Sequence, residues 1–462
     1  MEKLDMKLVK ILIFLVLSWS CSYAQESLRP SQSVAFVGGM LLDGYEAEPI
    51  HRATVIIKNG VIVNVGESDS VVIPDNAVVI DIGGRTIMPG LIDAHVHTDL
   101  IGHGDYTRYY KFLNGIERIN DVMPIAAKQM LRAGVTSAID LGTPFQILEL
   151  REKIRRGETP GPRLTVSGPW ITRVSWDGIP PEYETVITTT EEAVNETRKN
   201  IENGSDVIKL WEGMTQEDYY AVVKEARKHN IKVHAHLYDP EDIRAAINAG
   251  VDVFQHVGSG RNPPYDQELL SDIAHKKIPI VQTISHRIWI YPETVDFPER
   301  LHDPVHRKDM PEDIYNEVID SFKNFHRLSY FDEIGLEIRN SKIAARQFIE
   351  SGAYMGVGTD AASPMNFHSD AMWFEMSALV DSGMTPIQVI SAATKTNAEI
   401  LGQIDKLGTI EPGKLADIIV IDGNPLSNIE NMANVEIVVK DGVIYYAESR
   451  NCGAVKLIGH SF

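Results

Sequence analysis

The sequence predicts an α/β protein: a (β/α)8 TIM-like barrel that carries a small β-sandwich built from both chain ends. Three observations predict it. The middle of the chain alternates short apolar runs with helical patterns, as parallel strands joined by helices do. Hairpin signals stand at both ends, Asn59-Gly60 near the start and Asp441-Gly442 near the finish. Histidine, lysine and aspartate recur at the C-terminal ends of the apolar runs, where a barrel gathers its site.

The first 24 residues form a segment apart. Lys3, Lys7 and Lys10 precede the apolar run Ile11-Leu12-Ile13-Phe14-Leu15-Val16-Leu17, and Ser22-Tyr23-Ala24 places small residues before Gln25. This is the pattern of a signal peptide over 1–24, with an apolar run too short to span a membrane. The chain is therefore expected to be exported, periplasmic or secreted. A lipid anchor through Cys21 is the alternative, against which the bulky Trp19 counts. The only cysteines are Cys21 and Cys452, so cleavage leaves one and no intramolecular disulfide.

Residues 25–87 are expected to supply the N-terminal part of the sandwich. Ala53–Lys58 and Val61–Val65 flank the Asn59-Gly60 turn. Residues 406–450 return the same style, with Asp417–Ile421, Val435–Lys440 and Val443–Tyr446 as strands. A polar tail, 451–462, follows.

Between them, 88–405 is expected to hold the barrel. Its strands are Gly90–His97, Val135–Leu141, Arg163–Gly168, Val207–Trp211, Lys232–Leu237, Val253–Val257, Ile278–Ser285 and Met355–Asp360. An open doubly wound sheet is the alternative, but no Gly-x-Gly-x-x-Gly follows the first strand. A long connection over 286–337, roughly fifty residues, carries His286, Arg287, Trp289, Tyr291, His302 and His306. In a barrel it would lie over the catalytic face.

Composition narrows the partners. The 462 residues are 44% hydrophobic and 23% charged, with a net charge of −20. So acidic a chain lacks the clustered Lys and Arg that phosphate contacts need, which argues against nucleic acid. A small-molecule substrate is expected, with no membrane span; a homo-oligomer is compatible with the sequence.

The strand ends carry the chemistry. His95 and His97, at i and i+2, point to one face of the first strand. Lys209 stands near the end of the fourth, His234 and His236 on the fifth, His256 after the sixth and Asp360 after the eighth. Singly, each has a plain structural explanation: a core histidine, a paired lysine, a helix-capping aspartate. Together, so many buried polar groups cost several kcal/mol unless something satisfies them, and metal ions would.

These residues lie in motifs that resemble the amidohydrolase superfamily, near its imidazolonepropionase-like and prolidase-like branch. Met88-Pro89-Gly90-Leu91-Ile92-Asp93-Ala94-His95-Val96-His97 and Leu407-Gly408-Thr409-Ile410-Glu411-Pro412-Gly413-Lys414-Leu415-Ala416-Asp417 carry the resemblance. So do Ala249-Gly250-Val251-Asp252, Gln255-His256, Met384-Thr385-Pro386 and Ala392-Ala393-Thr394. The resemblance implies a metal-dependent hydrolase with two divalent ions, zinc being expected. His95, His97 and Asp360 would hold one, His236 and His256 the other, and a carboxylated Lys209 would bridge them. His234 competes with His236 for the fifth-strand place; the residues after His236 align better with the branch.

The implied reaction is hydrolysis of a C–N bond, in an amide, peptide-like or cyclic amide substrate, by metal-activated hydroxide. Asp360 would carry the proton, and Tyr238 would donate to the oxyanion. Ester or lactone hydrolysis, or a lyase, decarboxylase or isomerase reaction at the same binuclear site, is the alternative. The chain departs from the branch at Ile171-Thr172-Arg173-Val174-Ser175-Trp176-Asp177-Gly178. Arg173, Arg287 and His234 are the candidate substrate contacts, a guanidinium being suited to a carboxylate.

Overall fold

A computed structural model describes residues 33–176, 179–257, 264–323, 334–447 and 457–458. The expected signal peptide, with Cys21, and Cys452 lie outside them. In chain order the strands are β1 (Val34–Leu41), β2 (Ile50–Lys58), β3 (Val61–Glu67), β4 (Val78–Asp81) and β5 (Arg85–Pro89). There follow β6 (Leu91–Val96), β7 (Val135–Asp140), β8 (Arg163–Val166), β9 (Trp170–Thr172) and β10 (Glu184–Val186). Then come β11 (Val207–Leu210), β12 (Lys232–His236), β13 (Val253–Gln255), β14 (Ile280–Val281) and β15 (Met355–Gly356). The last three named here are β16 (Ile418–Asp422), β17 (Val435–Lys440) and β18 (Val443–Ala447).

Both chain ends enter one sheet, in the order β18-β17-β16-β5-β1-β2-β3, with β4 beside β1 and Leu457–Ile458 beside β4. Alternation decides what each face buries. Ile87, Ile418 and Val420 join Phe36, Val55 and Ile57 in the sheet's own cluster. Their neighbours Met88, Ile419 and Ile421 point the other way, into the large core of the parallel region. The sheet is thereby docked by its own side-chain period. At Gly90 the chain leaves this sheet: its N–H bonds to Asp417 O (2.9 Å), and the next N–H, of Leu91, bonds to Gly134 O (3.0 Å).

The central region is α/β with parallel sheets. One has the order β6-β7-β8; the other runs β10-β9-β11-β12-β13-β14-β15. All six residues of β6 are buried, as expected of a strand covered on both faces. Each of the eight expected runs contains one of these strands, with narrower bounds. The short β9 and β10 lie outside the expected runs.

Hydrogen bonds also join the sheets. Asp206 N–H donates to Val166 O (2.8 Å), and Ala94 N–H donates to Val357 O (3.0 Å). Asn397 reinforces the second junction. Its Nδ2 donates to Val357 O (2.7 Å) and Ile92 O (2.5 Å), while its Oδ1 accepts from Val357 N–H (3.1 Å). Asn397 is fully buried, so removing its amide strands backbone groups without water. Asn397→Leu is expected to cost about 2–4 kcal/mol, since each orphaned group costs ~1–3 kcal/mol; chemical or thermal unfolding of the variant checks it.

The helices between the strands start on strong local signals. Thr189 with Glu192, and Thr215 with Asp218, make reciprocal capping boxes for Thr190–Asn203 and Gln216–Arg227. Asp239 caps Pro240–Ala249 with proline in its first turn. The long connection has structure of its own, including a π-helical turn His286–Ile290 and a helix Glu312–Ser321. It is tied down by Glu317, which receives both Nε and Nη2 of Arg108, and by Arg300, which pairs with Asp370.

Candidate metal centre

The centre begins where β6 and the segment after β15 meet. Gly358 permits the approach: a Cβ there would lie 2.5 Å from Val281 Cγ1 and 2.9 Å from His95 N. The next two N–H groups, of Thr359 and Asp360, both donate to His95 O. Asp93 clamps the junction. Its Oδ1 accepts from the N–H of His95 and of Thr359, and its Oδ2 from Thr359 Oγ1 (2.7 Å). Asp360 then takes a left-handed turn, φ 53°, that aims its carboxylate at the histidines.

Asp360 Oδ1 lies 3.1 Å from His97 Nε2 and 3.5 Å from His95 Nε2. Its Oδ2 lies 3.9 Å from His256 Nδ1 and 4.0 Å from His286 Nε2. The His256 ring stands 4.4 Å from that of His95 and 4.6 Å from that of His236. His95, His97, His236, His256 and Asp360 are thus gathered in one place, with Lys209 among them. His95, His256 and Asp360 offer ligand atoms that all lie within 4.8 Å of one another.

The electrostatics favour ligand-competent forms at His95, His236, His256 and Asp360, but not at His97. Burial would push the Asp360 carboxyl up, but His256, His97 and His95 hold it well below the usual range. Burial drives His95, His236 and His256 well below the usual imidazole range, and the Lys209 charge adds to this at each of them. Burial also opposes charge on His97, but Asp360 outweighs it and raises that ring. Burial brings the Lys209 amine down to about 7, with Asp360 opposing. Neutral imidazole and ionised carboxylate are the forms that bind a metal.

A metal fits the donors present. His95 Nε2, His236 Nε2 and Lys209 Nζ are buried and have no hydrogen-bond partner among the described residues. Buried polar atoms are normally satisfied. Gln255 explains why the His95 atom is ready. Its Nε2 donates to Ala94 O (3.4 Å) and to His234 Nδ1 (3.0 Å), which orients its Oε1 to accept from His95 Nδ1 (2.8 Å). With the proton on Nδ1, the lone pair of His95 is on Nε2, the atom nearest Asp360. Thr283 Oγ1 shares a 2.9 Å hydrogen bond with His256 Nδ1. In the sequence Gln255 figured only as part of a motif, and Asp93 likewise; Thr283 carried no signal.

The remaining candidates fall in different places. Tyr238 lies at the centre, its ring 4.4 Å from His236. Burial pushes its hydroxyl up to about 12, so the O–H stays protonated. That oxygen accepts from Arg287 Nη2 (3.3 Å). Arg287 also donates to His286 Nε2 (2.5 Å) and to Glu337 Oε2 (2.9 Å). His234 shares the face of His236 on β12 but is fully buried and held by Gln255. Arg173 is turned to other work: Nε and Nη2 bind both oxygens of Asp218 (2.6 and 2.9 Å), and Nη1 binds Thr188 O (2.7 Å). The expected carboxylate fork at Arg173 is thus filled by the protein itself.

A model of the amidohydrolase family matches residues 86–445, which span every one of these residues. The chain belongs to the amidohydrolase family. This amidohydrolase is 24% identical over 442 residues to an enamidase of Eubacterium barkeri, covering 90% of this chain and 96% of the relative. It is 25% identical over 445 residues to an ochratoxinase of Aspergillus niger, covering 85% and 82% of the two chains. A solved Xaa-Pro dipeptidase with methionine bound in its active site is 25% identical, with a TM-score of 0.71 over 90% of this chain and 100% of that one. The amidohydrolase is accordingly a hydrolase.

Proposed function

We propose that this amidohydrolase is an exported, metal-dependent enzyme that hydrolyses a C–N bond of a small amide, peptide-like or cyclic amide substrate. The observation that carries it is the gathering of His95, His97, His236, His256, Lys209 and Asp360, with three buried donor atoms left unsatisfied. The names of the relatives, an enamidase and a Xaa-Pro dipeptidase, support C–N chemistry. The hydrogen bonds that join β8 to β11 and β6 to the end of β15 support a (β/α)8 barrel over 88–405, with 25–87 and 406–450 forming the second, β-rich domain. The leader pattern over 1–24 supports export, with a lipid anchor on Cys21 as the other outcome.

His95, His97 and Asp360 would hold one divalent ion and His236 and His256 a second, with zinc the expected metal. Lys209 would lie between them as a carbamate: its neutral amine adds to CO2, forms the N–C bond and gives up one proton to solvent water. Bound ions of this kind lower the pKa of water and polarise a carbonyl. Asp360 takes the proton of the attacking water and passes it to the leaving nitrogen, which needs one carboxylate near both atoms. Tyr238, held protonated, donates to the developing oxyanion. Arg287 stands beside Tyr238 with its Nε, Nη1 and Nη2 bound to Glu337, His286 and Tyr238, and would meet a substrate carboxylate by exchanging one of them. Arg173 has no part in this, because Asp218 already fills its fork.

The test is metal analysis of the full chain with a hydrolysis screen over dipeptides and N-acyl amino acids, zinc supplied. Roughly two divalent ions per chain and loss of turnover on chelation are expected. Fewer than one ion per chain, with turnover indifferent to chelators, would sink the reading.

A further inference from the structure

Glu375 is a buried acid that the chemistry above does not use. It lies on the helix Ala371–Asp381, which follows the segment bearing Asp360, and is 1% exposed. A carboxylate sealed from water is costly. Burial pushes this carboxyl up to about 7, although two backbone N–H groups oppose the rise.

Those two groups show what the acid holds. Ile284 N–H donates to its Oε1 (3.0 Å) and Ser285 N–H to its Oε2 (2.7 Å). Both residues belong to the segment after β14, and that segment meets the centre on either side of them. Before them, Thr283 Oγ1 shares its 2.9 Å hydrogen bond with His256 Nδ1. After them, His286 Nε2 stands 4.0 Å from Asp360 Oδ2, and Arg287 Nη2 donates to the Tyr238 hydroxyl (3.3 Å). The carboxylate thus grips the two residues in between, one oxygen to each.

Thr283 needs such a grip. It is fully buried, and its φ of 50° is a left-handed backbone that crowds a β-branched side chain. His256, the residue it meets, is left-handed as well, at φ 63°, with its own N–H on Val281 O (2.7 Å). Residues in that region persist where their surroundings over-determine them. The strand ends at Val281, so the N–H groups of Ile284 and Ser285 find their partner in Glu375 rather than in a sheet. A return of Thr283 to negative φ would swing its hydroxyl off the His256 ring.

We propose that Glu375 is a positioning residue of the centre: it holds the backbone beyond Thr283 so that Thr283 Oγ1 fixes the His256 ring for a divalent cation. The inference rests on the proposed function, in which His256 holds the second ion.

Zinc binding to the metal-stripped full chain, read by competition with a chromophoric chelator, tests it. Glu375→Gln keeps the shape of the side chain but sets an amide NH2 against one backbone N–H. Thr283→Val keeps the branch and removes the hydroxyl. Each is expected to weaken the second zinc about tenfold or more and to leave the first within about threefold. The double variant is expected to bind no worse than the poorer single one, because both changes release the same ring. Glu375→Asp, which keeps the charge and loses the reach, takes the place of the glutamine variant if that chain does not fold. A carboxylate with only a structural duty would lower the melting temperature of the metal-free chain and leave both zinc affinities as they were. That result, or effects of the two substitutions that simply add, overturns the proposal. A parent chain that binds one zinc or none overturns the binuclear reading and this proposal with it. Two zincs in the parent, bound as tightly in Glu375→Gln, leave that reading standing and remove Glu375 from it.

Discussion

Replacing Asp360 by asparagine is expected to lower kcat/KM by about 10³-fold or more while leaving the chain folded. The two halves of that expectation have separate causes. Activity depends on the charge: the two oxygens of Asp360 lie within 4.0 Å of four imidazoles, and no other carboxylate among the described residues does so. An amide there binds a metal weakly and carries no proton from water to nitrogen. Proton transfer alone accounts for ~10²–10⁴ in rate.

Stability depends on shape. Asparagine is nearly isosteric and accepts the left-handed backbone, φ 53°, more readily than most residues. In the chain without metal, the charge that asparagine lacks also loses its partner, the His97 ring 3.1 Å away, which Asp360 raises above the usual imidazole range. The variant should therefore still melt cooperatively when both are stripped of metal, but no higher than the parent. Steady-state kinetics with thermal melts in chelator decide the matter. A kcat/KM within tenfold of the parent would remove Asp360 from the proton path.

The parts of this site legible from sequence share one property: they are local. His95 and His97 show themselves through the two-residue period of a strand, and His236, His256 and Asp360 through apolar runs that stop at a polar residue. Chain position along a parallel strand then says that they meet. The parts that were not legible are long-range pairings. Gln255 orients His95 from 160 positions away, and Asn397 binds Ile92 O across 305. Nothing near Gln255 in the chain says which ring it will face. Arg173 shows the same limit from the other side. Its type suited a substrate carboxylate, but Asp218, 45 residues on, had a prior claim through a capping box that the helix needs anyway. In the fold, β9 and β10 lie outside the apolar runs the sequence displays, in the segment where it departs from its branch and just after it.

Lys209→Ala is expected to be as damaging as the loss of Asp360, by about 10³-fold in kcat/KM, but through metal content rather than proton transfer. A lysine at this position is otherwise hard to rationalise. Its amine is buried, has no hydrogen-bond partner among the described residues, and opposes charge on His95, His234, His236 and His256. As an ammonium it would repel any cation that those rings could hold. With burial bringing it to about 7, much of it is neutral near neutral pH, and a neutral amine can add to CO2. The product reverses the sign of the charge and presents two oxygens, which would suit two ions. Removing the side chain then has a signature that a structural lysine would not give. Metal per chain falls from roughly two to one or fewer, the metal-free protein melts no lower, and a short carboxylic acid added to the buffer restores part of the rate by entering the space the side chain leaves. Elemental analysis, melts in chelator and turnover with and without propionate measure all three. An alanine variant that keeps its full metal and its full rate would show that Lys209 bridges nothing.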